Sequence, residues 1–383
     1  MQLSATWTYP TSIRFGAGRS AELAQAVAEA GIARPLFVTD RNLAPLPMTT
    51  RALAALAASG AKLFCDIKPN PVEANIAAGI AAFTAGQHDG VVAFGGGSAL
   101  DAGKLIAFMA GQSRPVWDFE DVGDNFRRAD ASRIAPVVAV PTTAGTGSEV
   151  GRAGVLTDER SSVKKVIFHP GMLPKVAILD PELTIGMPPS ITAGTGMDAL
   201  AHCLEAYCGP FYHPLADGIA VEGIRLVKEN LARAVRDGSD LDARANMMAA
   251  AAMGATAFQK ALGAIHALSH PVGALYDTHH GMTNAVFMPY VLRFNRSAIE
   301  DRIKRLSAYV GLKPTFRAFL DWVLALRAEI GVPQTLAGLN VGDDRIDRVV
   351  AMAVQDPTAA GNPLPLDKRA ARTIFRRALE GRL

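Results

Sequence analysis

The stretch at residues 90–104 reads GVVAFGGGSALDAGK and predicts a strand that turns sharply into a helix. A short apolar run ends in three consecutive glycines and a serine, and a helical pattern follows from about Asp101. Glycine lets the backbone come close to a pyrophosphate, and the start of a helix offers unpaired N–H groups. The turn has neither the GxGxxG spacing nor the Gly-Lys-Ser/Thr ending of a P-loop. By itself it is equally consistent with a purely structural role.

The segments around this turn extend the pattern into an α/β half. Short apolar runs alternate with alanine-rich helical patterns, which indicates a parallel sheet covered on both faces. Strands are predicted at 35–40, 62–67, 90–94, 136–140, 154–157, 163–168 and 175–179, and helices at 21–30, 50–59, 74–86 and 101–111.

After about Gly186 nearly every apolar pattern has helical periodicity. Helices are predicted at 199–207, 215–234, 242–262, 299–306, 316–330 and 368–379. This change predicts an α/β dinucleotide-binding domain over residues 1–186 and an all-helical metal-binding domain over residues 187–383. Ligands of α/β sheets bind at the carboxyl ends of the strands, so we expect a ligand at that edge.

A second turn at the same edge strengthens the prediction of a nucleotide site. The sequence PTTAGTGS, residues 141–148, follows a predicted strand and adds small hydroxyl and N–H donors. Asp40 ends another strand, where its carboxylate can accept hydrogen bonds from ribose hydroxyls and would repel a 2′-phosphate. This favours NAD over NADP. A turn or helix-capping role for Asp40 is equally consistent with the local sequence.

Four of the eight histidines fall within residues 266–280. His266 and His270 are four residues apart in an apolar helical stretch, as are Asp198 and His202 on a predicted helix. Side chains with this spacing share one helix face and can reach the same point. Imidazole and carboxylate ligands suit Fe²⁺, Zn²⁺, Mn²⁺ or Co²⁺. Each histidine alone could be a satisfied core residue, but the combination favours a metal centre.

Together these motifs resemble the iron-containing (group III) alcohol dehydrogenase family, which includes lactaldehyde reductase and 1,3-propanediol dehydrogenase. The resemblance covers essentially the whole chain and implies a dehydroquinate-synthase-like architecture, with a Rossmann-like parallel-sheet domain followed by an all-helical domain. It rests on residues 9–18, GGGSALDAGK (95–104), PTTAGTGSEV (141–150), DPELTIGMPP (180–189), GMDALAHCLEAY (196–207), HALSHPVGALYDTHHGMTNA (266–285) and Asn362-Pro363.

The resemblance also implies site residues. It selects His280 over the neighbouring His279, where the family commonly has proline, and makes His270 a proton relay beside the nicotinamide and substrate. The implied ligands of Fe²⁺ or Zn²⁺ are Asp198, His202, His266 and His280. The implied NAD-binding residues are Asp40, Asn70, Gly97, Ser98, Thr142, Thr143, Thr146, Lys164 and Leu183, to which the glycine turn adds Gly96.

The activity implied by the resemblance is hydride transfer between nicotinamide and a small alcohol or aldehyde, whose oxygen binds the divalent ion. A lyase of the dehydroquinate synthase type and a non-catalytic NAD-binding protein are the alternatives. A metal-free relative of the maleylacetate reductase type is disfavoured, because all four ligand positions carry good ligands.

Composition sets the remaining expectations. The formal net charge is +3, and a basic stretch at 367–382 accounts for it, which favours a solvated final helix over a nucleic-acid-binding surface. The three cysteines form no CxxC pair, the start MQLSATWTYP lacks signal-peptide features, and no uninterrupted apolar span of membrane length occurs. We therefore expect a cytoplasmic enzyme without nucleic-acid or membrane partners. The resemblance suggests a homodimer.

Overall fold

A computed structural model describes Tyr9 and residues 11–161 and 163–383. The start of the chain, MQLSATWTYP, which has no signal-peptide features in its sequence, lies outside the described residues except for Tyr9. The described chain forms two compact units, an α/β unit of residues 9–143 and 147–185 and a helical unit of residues 144–146 and 186–383. That 1–186 and 187–383 are separate domains stays a prediction.

The α/β unit contains a six-stranded parallel sheet and a separate antiparallel pair of strands. Its strands are β1 Ser12–Phe15, β2 Pro35–Val38, β3 Lys62–Phe64, β4 Gly90–Gly95, β5 Val137–Pro141, β6 Ala153–Asp158, β7 Val163–Phe168 and β8 Val176–Leu179. Its helices are α1 Leu23–Glu29, α2 Pro47–Ala55, α3 Glu73–Ala85 and α4 Gly97–Met109.

The sheet has the strand order β1-β8-β5-β4-β2-β3, and every neighbouring pair is parallel. Alternate residues of its central strands face two hydrophobic clusters. Leu36 and Val38 pack in the cluster that contains α3 and α4, and Phe37 packs in the cluster that contains α1 and α2. From β2 the chain continues to β3 on one side, and from β4 it continues to β5 on the other. The connections therefore diverge between β2 and β4, where doubly wound folds bind their ligands.

The α/β unit differs from the prediction in three places. The strand β1 was not predicted, because its only buried side chain is that of Arg14 and it contains no buried apolar run. The strands β6 and β7 were expected, but they form the separate antiparallel pair. Helix α4 begins at Gly97 rather than at 101, so Gly96 is its N-cap residue and Gly97 is its first residue.

The helical unit contains eight α-helices among the described residues. They are α5 Pro189–Cys208, α6 Pro214–Arg236, α7 Leu241–Ala257, α8 Ala264–Tyr276, α9 His280–Tyr309, α10 Phe316–Glu329, α11 Ile346–Ala353 and α12 Lys368–Glu380. Helix α5 begins ten residues before the predicted 199 and α9 begins well before the predicted 299. Every residue of α5 from Thr192 to Cys208 is buried, so this segment has no polar face from which amphipathic periodicity could be read.

Small residues let α6 and α7 approach α5 closely. A Cβ atom added to Gly196 of α5 would lie 2.2 Å from Leu231, and one added to Gly223 would lie 2.6 Å from Cys203 Sγ. A Cβ on Gly254 would lie 3.0 Å from the Cβ of His202. Helix α5 is thus held firmly in the middle of the unit. In the part of the chain that the structure describes, no helix is long and apolar enough to cross a membrane.

Candidate active site

The predicted cofactor residues of the sheet follow four strands that are direct neighbours. The strands β2, β4, β5 and β8 are parallel, so their carboxyl ends meet at one edge. After these ends come, in the same order, Asp40, the turn Gly96-Gly97-Ser98, Thr142-Thr143 and Leu183. The structure therefore brings these residues to one edge, across the point where the connections diverge.

The glycine turn depends on the absence of side chains. Gly95, at the end of β4, has a φ of +143°, and a Cβ there would lie 2.8 Å from the Cβ of Ala99. The N–H of Thr142 donates to the carbonyl of Gly95 at 2.9 Å, which joins this turn to the one after β5. A Cβ on Gly96 would lie 3.2 Å from the Cγ2 of Thr143. The turn and the partly exposed start of α4 together present backbone to the edge.

Asp40 also has a local role. Its Oδ1 accepts hydrogen bonds from the N–H groups of Asn42 at 2.8 Å and of Leu43 at 3.0 Å, so it shapes the turn after β2. This is the alternative that the sequence left open. A contact with ribose stays a prediction.

The other predicted cofactor residues lie beyond the sheet. Asn70 has left-handed backbone, with a φ of 57°, and the neighbouring Pro71 accepts a hydrogen bond from Thr157 of β6 at 2.8 Å. Thr157 pairs with Lys164 of β7, so Asn70 and Lys164 lie near the same point of the hairpin. Thr146 belongs to the helical unit.

A buried polar network, which was not predicted from the sequence, supports the loop after β5. Lys104 of α4 donates to the carbonyls of Ser148, at 2.9 Å, and Ala153, and lies 3.3 Å from Asp101. Burial lowers the pKa of Lys104 and raises the pKa of the neighbouring Glu149 to about 7. Asp101 and Lys104, three residues apart, share a helix face. That spacing is the feature of the sequence that could have indicated the pair.

In the helical unit, three imidazoles surround one carboxylate oxygen. The Nε2 atoms of His202, His266 and His280 lie 3.7, 3.6 and 3.5 Å from Oδ1 of Asp198. Asp198 and His202 come from α5, His266 comes from α8, and His280 is the first residue of α9. The side chains of His202 and His266 are 6% and 2% exposed, against 29% for His280. The cluster is therefore closed on the α5 side and open at His280.

These distances fit a shared metal ion. Donor atoms bound at 2.0–2.2 Å in tetrahedral geometry are roughly 3.3–3.6 Å apart. The spacings from Asp198 Oδ1 are 3.5–3.7 Å. Candidate ligand atoms of Asp198, His202 and His266 all lie within 4.8 Å of one another. Three imidazole nitrogens with one carboxylate oxygen suit Fe²⁺ or Zn²⁺.

The pKa values of the residues in the cluster are shifted in different directions. Burial lowers the pKa of His202 to about 4, although the charge of Asp198 opposes this shift. Burial also acts against protonated His266, but Glu205 and Asp198 outweigh it and raise the pKa of His266 to about 10. Burial alone would raise the pKa of Asp198, but the neighbouring imidazoles hold it well below its usual range. Asp198 is therefore an anion at neutral pH.

Glu205 orients His266, a role that was not predicted from the sequence. One carboxylate oxygen of Glu205 lies 2.6 Å from Nδ1 of His266, and the other accepts the N–H of Ile265 at 2.6 Å. With Nδ1 held in this way, Nε2 of His266 faces Asp198. Along α5, Glu205 lies seven residues after Asp198 and three residues after His202. This helical spacing would have been the signal.

Asn284 is a further residue of the cluster that was not predicted from the sequence. Its amide donates to Oδ1 of Asp198 at 2.8 Å, and its carbonyl oxygen accepts from the hydroxyl of Ser269. The amide nitrogen also lies 3.2 Å from Nε2 of both His266 and His280. Asn284 is fully buried and follows His280 by one helical turn, which was the available signal.

The two adjacent histidines, His279 and His280, have different surroundings. His279 caps the start of α9, where its Nδ1 accepts the N–H of Met282 at 3.4 Å. Its ring packs over Gly194 of α5, where a Cβ would lie 2.6 Å from the imidazole. His280 faces Asp198. The structure thus brings His280 into the cluster and gives His279 a capping role.

His270 lies at the rim of the cluster. Its ring stacks on that of His280 with centroids 5.4 Å apart, and its side chain is 21% exposed. Its Nδ1 lies 2.8 Å from Oδ2 of Asp356, which precedes a short 3-10 helix, Pro357–Gly361. No spacing in the sequence connects Asp356 with His270, because the two lie in different segments of the chain.

Comparison with known proteins gives the family. Residues 10–181 match the model of the iron-containing alcohol dehydrogenases, and residues 192–379 match that of the C-terminal part of the Fe-containing alcohol dehydrogenase family. The chain belongs to the iron-containing alcohol dehydrogenase family. It is an oxidoreductase, and the resemblance and the fold class predicted from the sequence are confirmed.

Relatives of this alcohol dehydrogenase cover nearly its whole length. It is 40% identical to a 4-hydroxybutyrate dehydrogenase of Cupriavidus necator, over 97% of this chain and 98% of the relative. It is 37% identical to a 1,3-propanediol dehydrogenase of Klebsiella pneumoniae, over 90% and 91%. A solved 1,3-propanediol oxidoreductase superposes with a TM-score of 0.92 at 34% identity, covering 98% of this chain and 100% of that one. A sulfoacetaldehyde reductase from Bifidobacterium kashiwanohense, solved with NAD⁺, gives 0.90 at 29%, covering 98% and 99%.

Proposed function

We propose that this protein transfers hydride between NAD and a small alcohol or aldehyde, with one divalent ion held by Asp198, His202, His266 and His280. The observation that carries the proposal is the convergence of three Nε2 atoms on one oxygen of Asp198, at 3.5–3.7 Å. A buried carboxylate with three imidazoles is a costly arrangement unless it binds a cation.

The residues around the ligands orient them. When bound, an Fe²⁺ or Zn²⁺ ion supplies Lewis-acid chemistry, because it polarises the oxygen of an alcohol or a carbonyl. Glu205 holds the Nδ1 proton of His266, so that the lone pair of Nε2 points to the ion site. Asn284 holds the carboxylate of Asp198 through its amide. The proposed approach of the substrate is from the His280 side, because the side chain of His280 is 29% exposed.

His270 is the residue proposed to move the proton. Its ring lies at the open rim, stacked on His280, and Asp356 occupies its Nδ1. The free position, Nε2, accepts the hydroxyl proton during alcohol oxidation and returns it during aldehyde reduction.

The sheet edge is the proposed site of NAD. The glycine turn after β4 and the start of α4 offer backbone N–H groups to the pyrophosphate. Asp40, two residues after β2, accepts the ribose hydroxyls and disfavours a 2′-phosphate. The proposed contacts are Asp40, Asn70, Gly96, Gly97, Ser98, Thr142, Thr143, Thr146, Lys164 and Leu183.

NADH formation tests the activity. The protein is reconstituted with Fe²⁺ or Zn²⁺ and assayed with primary alcohols, diols and ω-hydroxy acids, including 1,3-propanediol and 4-hydroxybutyrate, with NAD and with NADP. We expect net NADH production that depends on the ion. A dehydroquinate-synthase-type lyase oxidises its substrate only transiently and would accumulate no NADH, and a binding protein would turn over nothing.

Two adjacent histidines provide a matched pair for the ligand set. His280→Asn should abolish metal binding and turnover, whereas His279→Asn should keep both, because asparagine also caps a helix start. Equal metal content in the two variants would contradict the proposed set.

Asp40→Gly should relax the preference for NAD over NADP. An unchanged ratio of activities with NAD and NADP would contradict the proposed contact of Asp40 with the ribose.

We also propose that the enzyme acts in the cytoplasm as a homodimer. The free thiols of Cys65, Cys203 and Cys208 support a reducing compartment. The family resemblance supports the dimer. Light scattering after size-exclusion chromatography measures the molar mass directly, and a mass near 40.3 kDa would contradict a dimer.

A further inference from the structure

The contact between Asp356 and His270 is more constrained than a single ion pair. Oδ2 of Asp356 lies 2.8 Å from Nδ1 of His270. Oδ1 of the same carboxylate accepts the backbone N–H of Thr358 at 2.9 Å and its hydroxyl at 2.5 Å. Since both donors of Thr358 occupy one oxygen, the carboxylate cannot turn freely, and the other oxygen is committed to the histidine.

We propose that Asp356 is a positioning residue that fixes the tautomer of His270. A carboxylate oxygen only accepts hydrogen bonds, so it keeps the ring hydrogen on Nδ1 and leaves Nε2 as an acceptor. This inference rests on the proposed function, in which Nε2 of His270 accepts the hydroxyl proton. To that function the inference adds that Nε2 is the ring atom able to accept a proton, and that Asp356, distant in sequence, determines this.

Three other histidines have the opposite arrangement, whereas His88, outside the cluster, has an acceptor, the carbonyl of Arg34, 3.0 Å from its Nδ1. Backbone groups occupy Nδ1 in the capping histidines His169, His213 and His279, where the ring nitrogen accepts an N–H. In those rings the neutral form carries its hydrogen on Nε2. His270 and His266 instead have a carboxylate oxygen at Nδ1, which selects the opposite tautomer. The two lie in the same cluster, with their ring centroids 5.8 Å apart.

The Asp356→Asn substitution reverses the tautomer without changing shape. The N–H of Thr358 requires an acceptor, so the amide oxygen takes the place of Oδ1 and the amide NH₂ faces His270. Nδ1 must then accept, and the ring hydrogen moves to Nε2. Proton transfer through His270 should fail although the ring stays in place.

The tautomer can be read by NMR on ¹⁵N-histidine-labelled protein loaded with diamagnetic Zn²⁺. A long-range ¹H–¹⁵N correlation distinguishes protonated from bare ring nitrogens, and His270→Gln identifies the His270 signals. We expect the hydrogen on Nδ1 in the wild type and on Nε2 in Asp356→Asn. A wild-type ring with its hydrogen on Nε2, or a signature unchanged in Asp356→Asn, would overturn the proposal.

Kinetics separate positioning from general damage. Asp356→Asn should lower kcat by roughly 100-fold with little change in KM, the scale of lost general acid–base catalysis. The double variant with His270→Gln should be no slower than His270→Gln alone, and additive losses would overturn the proposal.

Asp237→Asn is the matched control. Asp237 caps a turn in the same way, accepting the N–H of Ser239 at 2.9 Å and its hydroxyl at 2.6 Å. We expect wild-type kinetics and NMR signals, and a matching loss in this control would overturn the proposal. The NMR result needs no turnover, so a protein without alcohol dehydrogenase activity would contradict the proposed function and still report on the tautomer.

Discussion

The two units build their candidate sites from different material. At the sheet edge the site consists of backbone and small side chains from turns that directly follow strands, such as Gly95–Ser98 and Thr142-Thr143. In the helical unit it consists of charged and polar side chains from three helices. The first site should be sensitive to any added Cβ and the second to any change of donor atom.

The largest effect is expected from Asp198→Asn. All three imidazoles share Oδ1 of Asp198, and an amide oxygen is a weaker ligand than a carboxylate. Metal content should fall to background and kcat/KM by roughly 1,000-fold or more, the scale of several kcal/mol of Lewis-acid stabilisation. The affinity for NAD should stay unchanged. Asp301→Asn on α9, where the carboxylate is 86% exposed, is the control and should bind metal normally.

If the Asp198→Asn variant retained a stoichiometric amount of metal, the proposed ligand set would be contradicted. A parallel loss of NAD binding would instead show that the two sites are not chemically independent.

Glu205→Gln should have the next largest effect. The backbone N–H of Ile265 holds one side of the glutamine as an acceptor, so the NH₂ faces Nδ1 of His266 and moves the ring hydrogen to Nε2. Metal affinity should fall by about 10–100-fold, as is usual when a group that orients a ligand is lost. Competition with a chelator measures this, and wild-type affinity would show that Glu205 has no orienting role.

The sheet edge should respond to a single methyl group. In Gly95→Ala the new Cβ would lie 2.8 Å from Ala99, at a φ of +143°. Strain of this kind costs about 1–3 kcal/mol, so we expect the Kd for NAD to rise about 10-fold while metal binding stays unchanged. Gly60→Ala, with a φ of +66° and open space, controls for backbone strain away from the edge. If it weakened NAD binding equally, the close approach at Gly95 would not be the cause.

The smallest effect concerns Glu149 and pH. Its pKa in the folded protein is about 7, above the ordinary 4.5. Between these values the folded state holds a proton that the unfolded chain has released, so stability falls as the pH rises through this window. Glu149→Gln has no such proton and should be more stable than the wild type at pH 8, by on the order of 3 kcal/mol, with a smaller difference at pH 5. Thermal unfolding of both proteins at both pH values checks this. If the difference in stability between the variant and the wild type were the same at pH 5 and pH 8, the prediction would be refuted.

The same contrast explains what could be predicted from the sequence. The strands β2, β4 and β5 were predicted to within about two residues, because a central parallel strand is a short continuous apolar run. Helices α5 and α9 were only partly predicted, since α5 is buried on all sides and the start of α9 carries polar residues that face the cluster. Periodicity is informative when one face is polar, and these segments lack that contrast.

Partners that lie far along the chain were the least predictable part of the site. Glu205 and Asn284 share a helix face with a proposed ligand and were within reach of a spacing argument. Asp356 meets His270 only through the fold, across separate segments. A single sequence carries no local pattern for such a pair, because the contact is set by tertiary packing rather than by helix or strand geometry.

The proposed ligands come from three helices, α5, α8 and α9, and this should affect the abundance of the protein in the cell. An ion that bridges three helices binds the folded chain and not the unfolded one, so its binding energy adds to the free energy of unfolding, about 2.7 kcal/mol at a concentration 100 times its Kd. Chains made during metal shortage would unfold more often and be degraded sooner. The amount of enzyme, and not only its specific activity, should therefore follow the availability of the ion.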